Sequence, residues 1–183
     1  MMQHHPLILA LVVSWSLLTA PLQLYAQTEN NFTDLRHRAY TAEDLAVALF
    51  PETEPLMRGI GPRQPQTPPG RTAVALNVTF EFNSDTILPQ YYPDLDKLGQ
   101  VLTQYPQAAI EISGHTDHMG PDQYNYLLSQ KRAEGIKSYL VQRFPVHAER
   151  LQTIGYGKSR PRTTNDTAEG SSINRRVEVM RQW

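Results

Sequence analysis

The stretch that decides the fold is residues 109–144, which read AIEISGHTDHMGPDQYNYLLSQKRAEGIKSYLVQRF. Two isoleucines that alternate with polar residues predict a short strand over 109–113. The glycine-bounded segment 114–120 predicts a loop, and a long helix is predicted over about 121–144, with proline in the favoured first turn. One short loop therefore joins the C-terminal end of a strand to the start of a helix.

The long helix has a mixed face. At about 100° per residue, Asn125, Ser129 and Arg132 fall within roughly 60° of one another, and Ile136 and Leu140 continue the same line. The face that meets the sheet is therefore expected to be polar in its N-terminal half and apolar in its C-terminal half. Buried polar groups need partners, because an unpaired one costs ~1–3 kcal/mol.

Asp117 lies in the preceding loop, and with Arg132 it can flank a common cleft. The residues alone leave two interpretations open. In the first, the two side chains form a salt bridge that closes the loop, with Asn125 and Ser129 as caps. In the second, they stand apart and bind a zwitterion. The carboxylate then accepts an ammonium group, and the guanidinium grips a carboxylate in bidentate fashion, assisted by N–H groups at the helix start.

The flanking sequence completes a two-layer domain. Alternation over 74–82 predicts a first strand, and leucines at helical spacing over 95–105 predict a helix that the next proline ends. Further strands are predicted at 151–156 and 176–180, with a polar loop between them. The fold class is therefore an α/β (α+β) sandwich in the order βαβαββ, with two main helices packed on a mixed four-stranded sheet.

The N-terminal part divides into two segments before the domain at 73–183. Residues 1–26 lack Asp, Glu, Lys and Arg and hold a short apolar run, which predicts a secretory signal peptide ending at Ala26. An uncleaved anchor is the alternative. Residues 27–72 are expected to hold a short helix and a linker, since six prolines and three glycines occupy 51–70.

A capping box marks that short helix at 41–50, with Thr41 at the N-cap and Asp44 three residues later. Its apolar face could lean on its own domain or dock a partner.

Composition excludes several classes of function. The 183 residues carry a net charge of −1, so a nucleic-acid partner is not expected. The absence of cysteine excludes disulfides, thiolate zinc sites and a lipid-modified N-terminal cysteine. No GxSxG, HExxH or paired-carboxylate signature is present, so neither an enzyme nor a cofactor is expected. A metal site at His115, Asp117 and His118 is not favoured, because no further ligand pair accompanies them.

Several motifs in order resemble the OmpA-like C-terminal domain family (OmpA/MotB/peptidoglycan-associated lipoprotein type) over about residues 73–181. They are Ser113-Gly-His-Thr-Asp117, Tyr124-Asn-Tyr-Leu-Leu-Ser129, Arg132-Ala133, Gly155-Tyr-Gly157, Asn165-Asp166 and Asn174-Arg-Arg-Val177. The combination of these motifs in order is specific for the family, whereas Gly-His-Thr-Asp alone is a weak indication of it. His118 departs from the family pattern, and it could tune the site with pH or simply be solvated.

The resemblance implies non-covalent binding of peptidoglycan through the diaminopimelate of its stem peptide. Asp117 and Arg132 match the residues that hold its ammonium and carboxylate groups, and Asn83, Thr116 and Asn125 match supporting contacts. Asn174-Arg175-Arg176 is interpreted as structural, pinning the last strand.

The chain is expected to be periplasmic, and association with the outer membrane is left open. Its expected role is to tether or position a cell-envelope component. No membrane span is expected after signal cleavage, and residues 27–72 could bind an envelope protein. The alternative function is a periplasmic protein–protein scaffold that uses the same cleft without binding the wall.

Overall fold

The computed structural model describes residues 32–51, 73–76, 78–80 and 84–182. The predicted signal peptide, nearly all of the predicted linker and Asn83 lie outside these residues. The elements in chain order are β1 (Phe32–Asp34), α1 (Ala42–Leu49), β2 (Ala73–Leu76), α2 (Tyr92–Gln104), β3 (Ala109–His115), α3 (Asp122–Arg143), β4 (Leu151–Gly157), α4 (Ala168–Asn174) and β5 (Val177–Gln182).

The strands form one mixed sheet in the order β1-β2-β5-β3-β4. β5 runs antiparallel to both of its neighbours, whereas β1 with β2 and β3 with β4 are parallel pairs. Helices α2 and α3 pack on one face, where Ile112, Val179 and Val74 contribute to the buried core with Leu98 and Ile136. The predicted α+β fold is confirmed.

The sheet has five strands rather than the predicted four. The additional strand, β1, pairs Phe32 with Ala73 on β2. Three residues are too few to show an alternating pattern, so the sequence gives no strand signal there. The short helix α1 follows it with the predicted capping box between Thr41 and Asp44. Residues 32–50 therefore join the domain's sheet and core instead of standing apart from it.

The first predicted strand is shorter than the alternation over 74–82 suggests. β2 ends at Leu76, whose carbonyl oxygen accepts a hydrogen bond from Val78 N at 2.9 Å. The pairing of β2 with β5 also ends at Leu76, opposite Val177. Further along, Phe80 and Ile87 form an isolated antiparallel bridge.

The segment predicted as a loop before the last strand contains α4. The side chain of Thr167 caps this helix, accepting a hydrogen bond from Gly170 N at 3.0 Å. Its glycine and two serines have low helix propensity, which explains why the sequence pattern does not reveal it. In the part of the chain that the structure covers, no helix combines the length and apolar character that a membrane crossing requires.

Candidate functional site

The loop between β3 and α3 is closed by its own hydrogen bonds. Thr116 N donates to Gly157 O on β4 at 2.9 Å, which ties the start of the loop to the sheet. Asp117 Oδ1 accepts from Met119 N at 3.1 Å, and Asn125 Nδ2 donates to Met119 O at 2.7 Å. The Asp117 carboxylate is therefore held in a fixed position beside the first turns of α3.

The predicted polar half of the α3 face is confirmed. Asn125 and Ser129 are buried, as are Ile136 and Leu140 further along, and Arg132 is half-buried at the edge of this face. Ser129 Oγ accepts a hydrogen bond from Gly157 N at 2.9 Å, so its partner is the backbone of β4. Helix and sheet thus meet through paired polar groups close to the loop.

Arg132 lies in a small cleft, and its guanidinium is oriented from two sides. Its Nε donates to Ser84 O at 3.0 Å, and its guanidinium carbon lies 4.9 Å from the centre of the Phe80 ring. Burial lowers the pKa of Arg132, and the Asp117 carboxylate acts in the opposite direction. The cleft has a volume of about 90 Å³ and is lined by Val78, Thr79, Phe80, His115, Arg132, Ser172, Arg175 and Arg176.

Asp117 pairs with Arg175 rather than with Arg132. Arg175 Nη1 lies 2.8 Å from Asp117 Oδ2, and the side chains are 48% and 16% exposed respectively. The ion pairs formed by the described residues include no contact between Asp117 and Arg132. The first interpretation, a salt bridge between these two residues that closes the loop, is therefore wrong.

Arg175 is the site residue that sequence reasoning missed. It was grouped with Asn174 and Arg176 as structural, and those two residues do have structural roles. Asn174 is fully buried and its Oδ1 accepts from Arg162 N at 2.7 Å, while the buried Arg176 pairs with Glu178. Arg175 lies between them in sequence, yet its side chain reaches the cleft.

The five predicted site residues are placed differently. Arg132 lines the cleft together with Arg175, and Asp117 pairs with Arg175 but is not itself a lining residue. Asn83 lies outside the described residues. Thr116 is buried and its Oγ1 donates to the Asp117 carbonyl oxygen at 2.9 Å. The Asn125 amide closes the loop, as described above.

The histidines considered for a metal site do not converge. His118 is exposed, and His115 is buried at the end of β3. Within residues 32–51, 73–76, 78–80 and 84–182, no group of three or more His, Cys, Asp or Glu side chains is placed to hold a metal ion.

Comparison with known proteins places this chain in a family. Residues 79–175 match the sequence profile of the OmpA family. Outer membrane porin F of Pseudomonas fluorescens is 43% identical over 106 residues, which cover 58% of this chain and 32% of porin F. The chain thus matches about a third of the length of this curated relative.

Two solved structures share the fold. The peptidoglycan-associated lipoprotein from Burkholderia pseudomallei is 32% identical with a TM-score of 0.54, covering 57% of this chain and 88% of that chain. The cell wall anchor of the T6SS from Pseudomonas aeruginosa is 28% identical with a TM-score of 0.51, covering 60% and 80%. The profile match covers more than half of the residues of the present chain, so this chain belongs to the OmpA family.

Proposed function

We propose that this domain binds peptidoglycan non-covalently, through the diaminopimelate of the stem peptide. The observation that carries the proposal is that Arg132, which lines the cleft, and the nearby Asp117 each have partners other than one another. Arg132 is held by Ser84 and Phe80, and Asp117 is held by Arg175 and the loop backbone. A carboxylate and a guanidinium that do not neutralise each other can receive the two ends of a zwitterion.

Each charge has a role with the ligand. The Asp117 carboxylate accepts hydrogen bonds from the ammonium group, and Arg132 donates to the carboxylate. The Arg132 Nε is already bonded to Ser84 O, and the described residues offer no hydrogen-bond acceptor to its two terminal nitrogens. These remain available for a bidentate contact, which guanidinium groups make with carboxylates.

Arg175 is the counterion that an incoming ammonium group must share or replace. Its contact with Asp117 is made through one nitrogen and one oxygen, and its side chain is about half exposed. Exposed ion pairs contribute little free energy, about 0–1 kcal/mol. The exchange of Arg175 for a ligand ammonium group is therefore expected to cost little.

The names of the similar proteins support binding to the wall. One solved relative is a peptidoglycan-associated lipoprotein and another is a cell wall anchor. Porin F is an outer membrane protein. With the predicted signal peptide, these names favour a periplasmic chain associated with the outer membrane, where the domain tethers or positions an envelope component. We propose no catalytic activity, cofactor, metal or nucleic-acid partner.

The test is sedimentation of the purified chain with purified sacculi, with free diaminopimelate as competitor. We expect the chain to sediment and the competitor to release it. Asp117→Ala and Arg132→Ala should each weaken retention by about ten-fold or more, because a hydrogen bond to a charged group contributes about 1.5–3 kcal/mol. Circular dichroism checks that both variants remain folded.

Asp122→Ala and Lys131→Ala are the matched controls. Both residues are exposed charges on α3, and neither lines the cleft. They should leave retention unchanged. If Asp117→Ala and Arg132→Ala still sediment like the unaltered chain, the assigned pocket is wrong. A folded chain that never sediments with sacculi indicates the alternative function, a protein–protein scaffold.

A further inference from the structure

A second cavity lies on the opposite face of the sheet, away from α2 and α3. Its volume is about 310 Å³, within the size range of small-molecule sites, which begins near 300 Å³. Strand residues form its floor and the chain after β4 forms its wall. The polar groups that line it include Glu111, Ser113, His115, Arg160, Arg162 and Glu178.

Two carboxylates in this cavity already have partners. Glu178 Oε1 accepts from Arg162 Nε at 2.9 Å and also pairs with Arg176. Glu111 accepts hydrogen bonds from the Tyr156 hydroxyl at 3.3 Å and from the Gln182 amide at 3.1 Å. The acidic groups therefore do not call for a cation.

His115 has unmet hydrogen-bonding capacity. It is 3% exposed, and neither ring nitrogen has a hydrogen-bond partner within the described part of the chain. Glu178 Oε2 is 3.9 Å from Nε2, beyond hydrogen-bond distance. Its ring lines this cavity as well as the cleft. A buried imidazole normally pairs both nitrogens, so this ring is suited to bond a polar group of a molecule in the cavity.

Arg160 supplies the matching positive charge. Its guanidinium carbon lies 3.7 Å from the centre of the Tyr156 ring, and its backbone oxygen accepts from Arg176 Nη2 at 3.1 Å. The Tyr156 hydroxyl lies within hydrogen-bonding reach of this guanidinium, whose other N–H groups can donate to a ligand. The lining holds three guanidinium groups, on Arg160, Arg162 and Arg176, against two carboxylates, so its charge balance favours an anion.

We propose that this cavity is a second binding site, for a small molecule that bears a carboxylate or phosphate group. Arg160 and the terminal nitrogens of Arg162 bind the oxyanion, and the remainder of the molecule reaches the ring of His115. Arginine suits this role because its planar group donates to two oxygens at once. The site is separate from the proposed wall-binding cleft, and His115 and Arg176 line both.

The test is an NMR titration of the full chain, labelled with ¹⁵N at histidine and arginine. Inorganic phosphate and acetate are the two probes, each added at constant ionic strength against chloride. We expect saturable shifts of the His115 ring nitrogens and Arg160 Nε with at least one probe. The probe that acts distinguishes a phosphate ligand from a carboxylate ligand.

Two variants make the result specific. Arg160→Gln should weaken the binding of the probe by about ten-fold or more, because a charge-assisted contact is lost. Ala73→Ile should also weaken it, since Ala73 lines the cavity and a larger side chain fills it. Arg143→Gln is the control, because Arg143 is an exposed arginine at the far end of α3.

Several results would overturn the proposal. The first is that chloride alone produces the same chemical-shift changes as the probes. The second is that Arg160→Gln and the unaltered chain bind the probe with equal affinity. The third is that the shifts change at Arg132 but not at His115. The absence of saturable shifts with both probes would mean that the cavity holds water only. Arg160→Gln should sediment with sacculi like the unaltered chain, so failure of this site and failure of the proposed function remain distinguishable.

Discussion

His115 makes folding depend on pH at the scale of a single residue. Burial of the ring, and next the nearby Arg176 charge, lower its pKa from 6.5 to about 3, although Glu178 acts in the opposite direction. Arg162 and Arg160 add to the lowering. The folded state therefore keeps this ring neutral at pH values where the unfolded chain protonates it. His115 therefore does not reduce the unfolding free energy above about pH 6.5. Its unfavourable contribution grows as the pH falls from there toward about 3.

The prediction is a loss of about 2 kcal/mol of unfolding free energy from this group between about pH 6.5 and about pH 5. Urea unfolding at the two pH values measures it. The glutamine in His115→Gln cannot titrate. The loss of unfolding free energy over this interval should therefore be smaller in the variant than in the unaltered chain, by about 2 kcal/mol. Equal pH dependence in both chains would show that His115 is protonated in the folded state.

Two glycines near the site should respond in opposite directions to the same substitution. A Cβ atom at Gly114 would lie 2.2 Å from the backbone oxygen of Ser129, so α3 would have to move off the sheet. Gly114→Ala should therefore cost about 1–3 kcal/mol or more. At Gly135 the nearest atom is Asp85 O at 3.4 Å, an ordinary contact. Gly135→Ala should gain about 0.5–1 kcal/mol because alanine is the better helix former.

Urea unfolding of both glycine variants checks the pair. Each variant adds the same methyl group, so a difference in sign isolates the close approach of helix and strand. Destabilisation of similar size by both would mean that the backbone contact at Gly114 is looser than the structure has it.

Sequence periodicity predicted part of the site because the helix is regular. The wheel placed Arg132 beside Asn125 and Ser129, and this arrangement is confirmed. It could not place Arg175, which meets Asp117 from 58 positions further along the chain. Such a contact depends on how α4 leads into β5, the central strand of the sheet, and no local pattern records it.

At the scale of elements, α3 does more than cover the core. β4 is an edge strand, and α3 side chains bond to its backbone. Gln130 Oε1 accepts from Gly155 N at 2.6 Å, and Ser129 Oγ accepts from Gly157 N at 2.9 Å. Lys137 Nζ donates to the carbonyl oxygen of the first residue of β4 at 2.7 Å. These contacts leave fewer free groups on which another strand could pair.

The elements that sequence reasoning found carry a periodic pattern or, as in α1, a capping box. α2, α3, β3, β4 and β5 were predicted close to their observed bounds. β1 and α4 were not, because three residues carry no period and because a helix rich in glycine and serine forms only with its cap and tertiary contacts. The alternation in β3 predicts a polar face but not its burial, since the sequence does not show what covers Glu111.

The helix α1 belongs to the folded core, which leads to a stability prediction. Leu45 is fully buried, whereas Val47 on the same helix is 48% exposed. Leu45→Ala should cost about 2–5 kcal/mol of unfolding free energy. Val47→Ala should change it by about 0.5 kcal/mol or less. Urea unfolding followed by circular dichroism measures both, and a neutral Leu45→Ala would favour the other interpretation of this helix, a detachable docking segment.

Considered as a whole molecule, the domain uses the two faces of one sheet differently. One face carries the apolar core with α2 and α3. The other carries paired charges and the second cavity. The cleft lies at the edge where β3 ends, with His115 and Arg176 between it and that cavity. His115 and Arg176 are therefore the two side chains through which the cavity and the cleft contact each other.

The proposed wall binding should be weak for one domain and strong for many. The contacts at the cleft are few, and the Asp117–Arg175 pair is partly exposed, so the affinity for a single stem peptide should be modest. A sacculus repeats the ligand, so a tethered or clustered chain should gain about 10²–10⁴ in avidity without any new contact.

Calorimetry with a diaminopimelate-containing stem peptide measures the affinity of a single domain. Sedimentation of a dimerised chain with sacculi, against the monomer, measures the gain in avidity, and added salt should weaken both by screening. Nanomolar binding of one stem peptide by the monomer, or no gain on dimerisation, would contradict this account, because either result requires contacts beyond the two charges and Arg175.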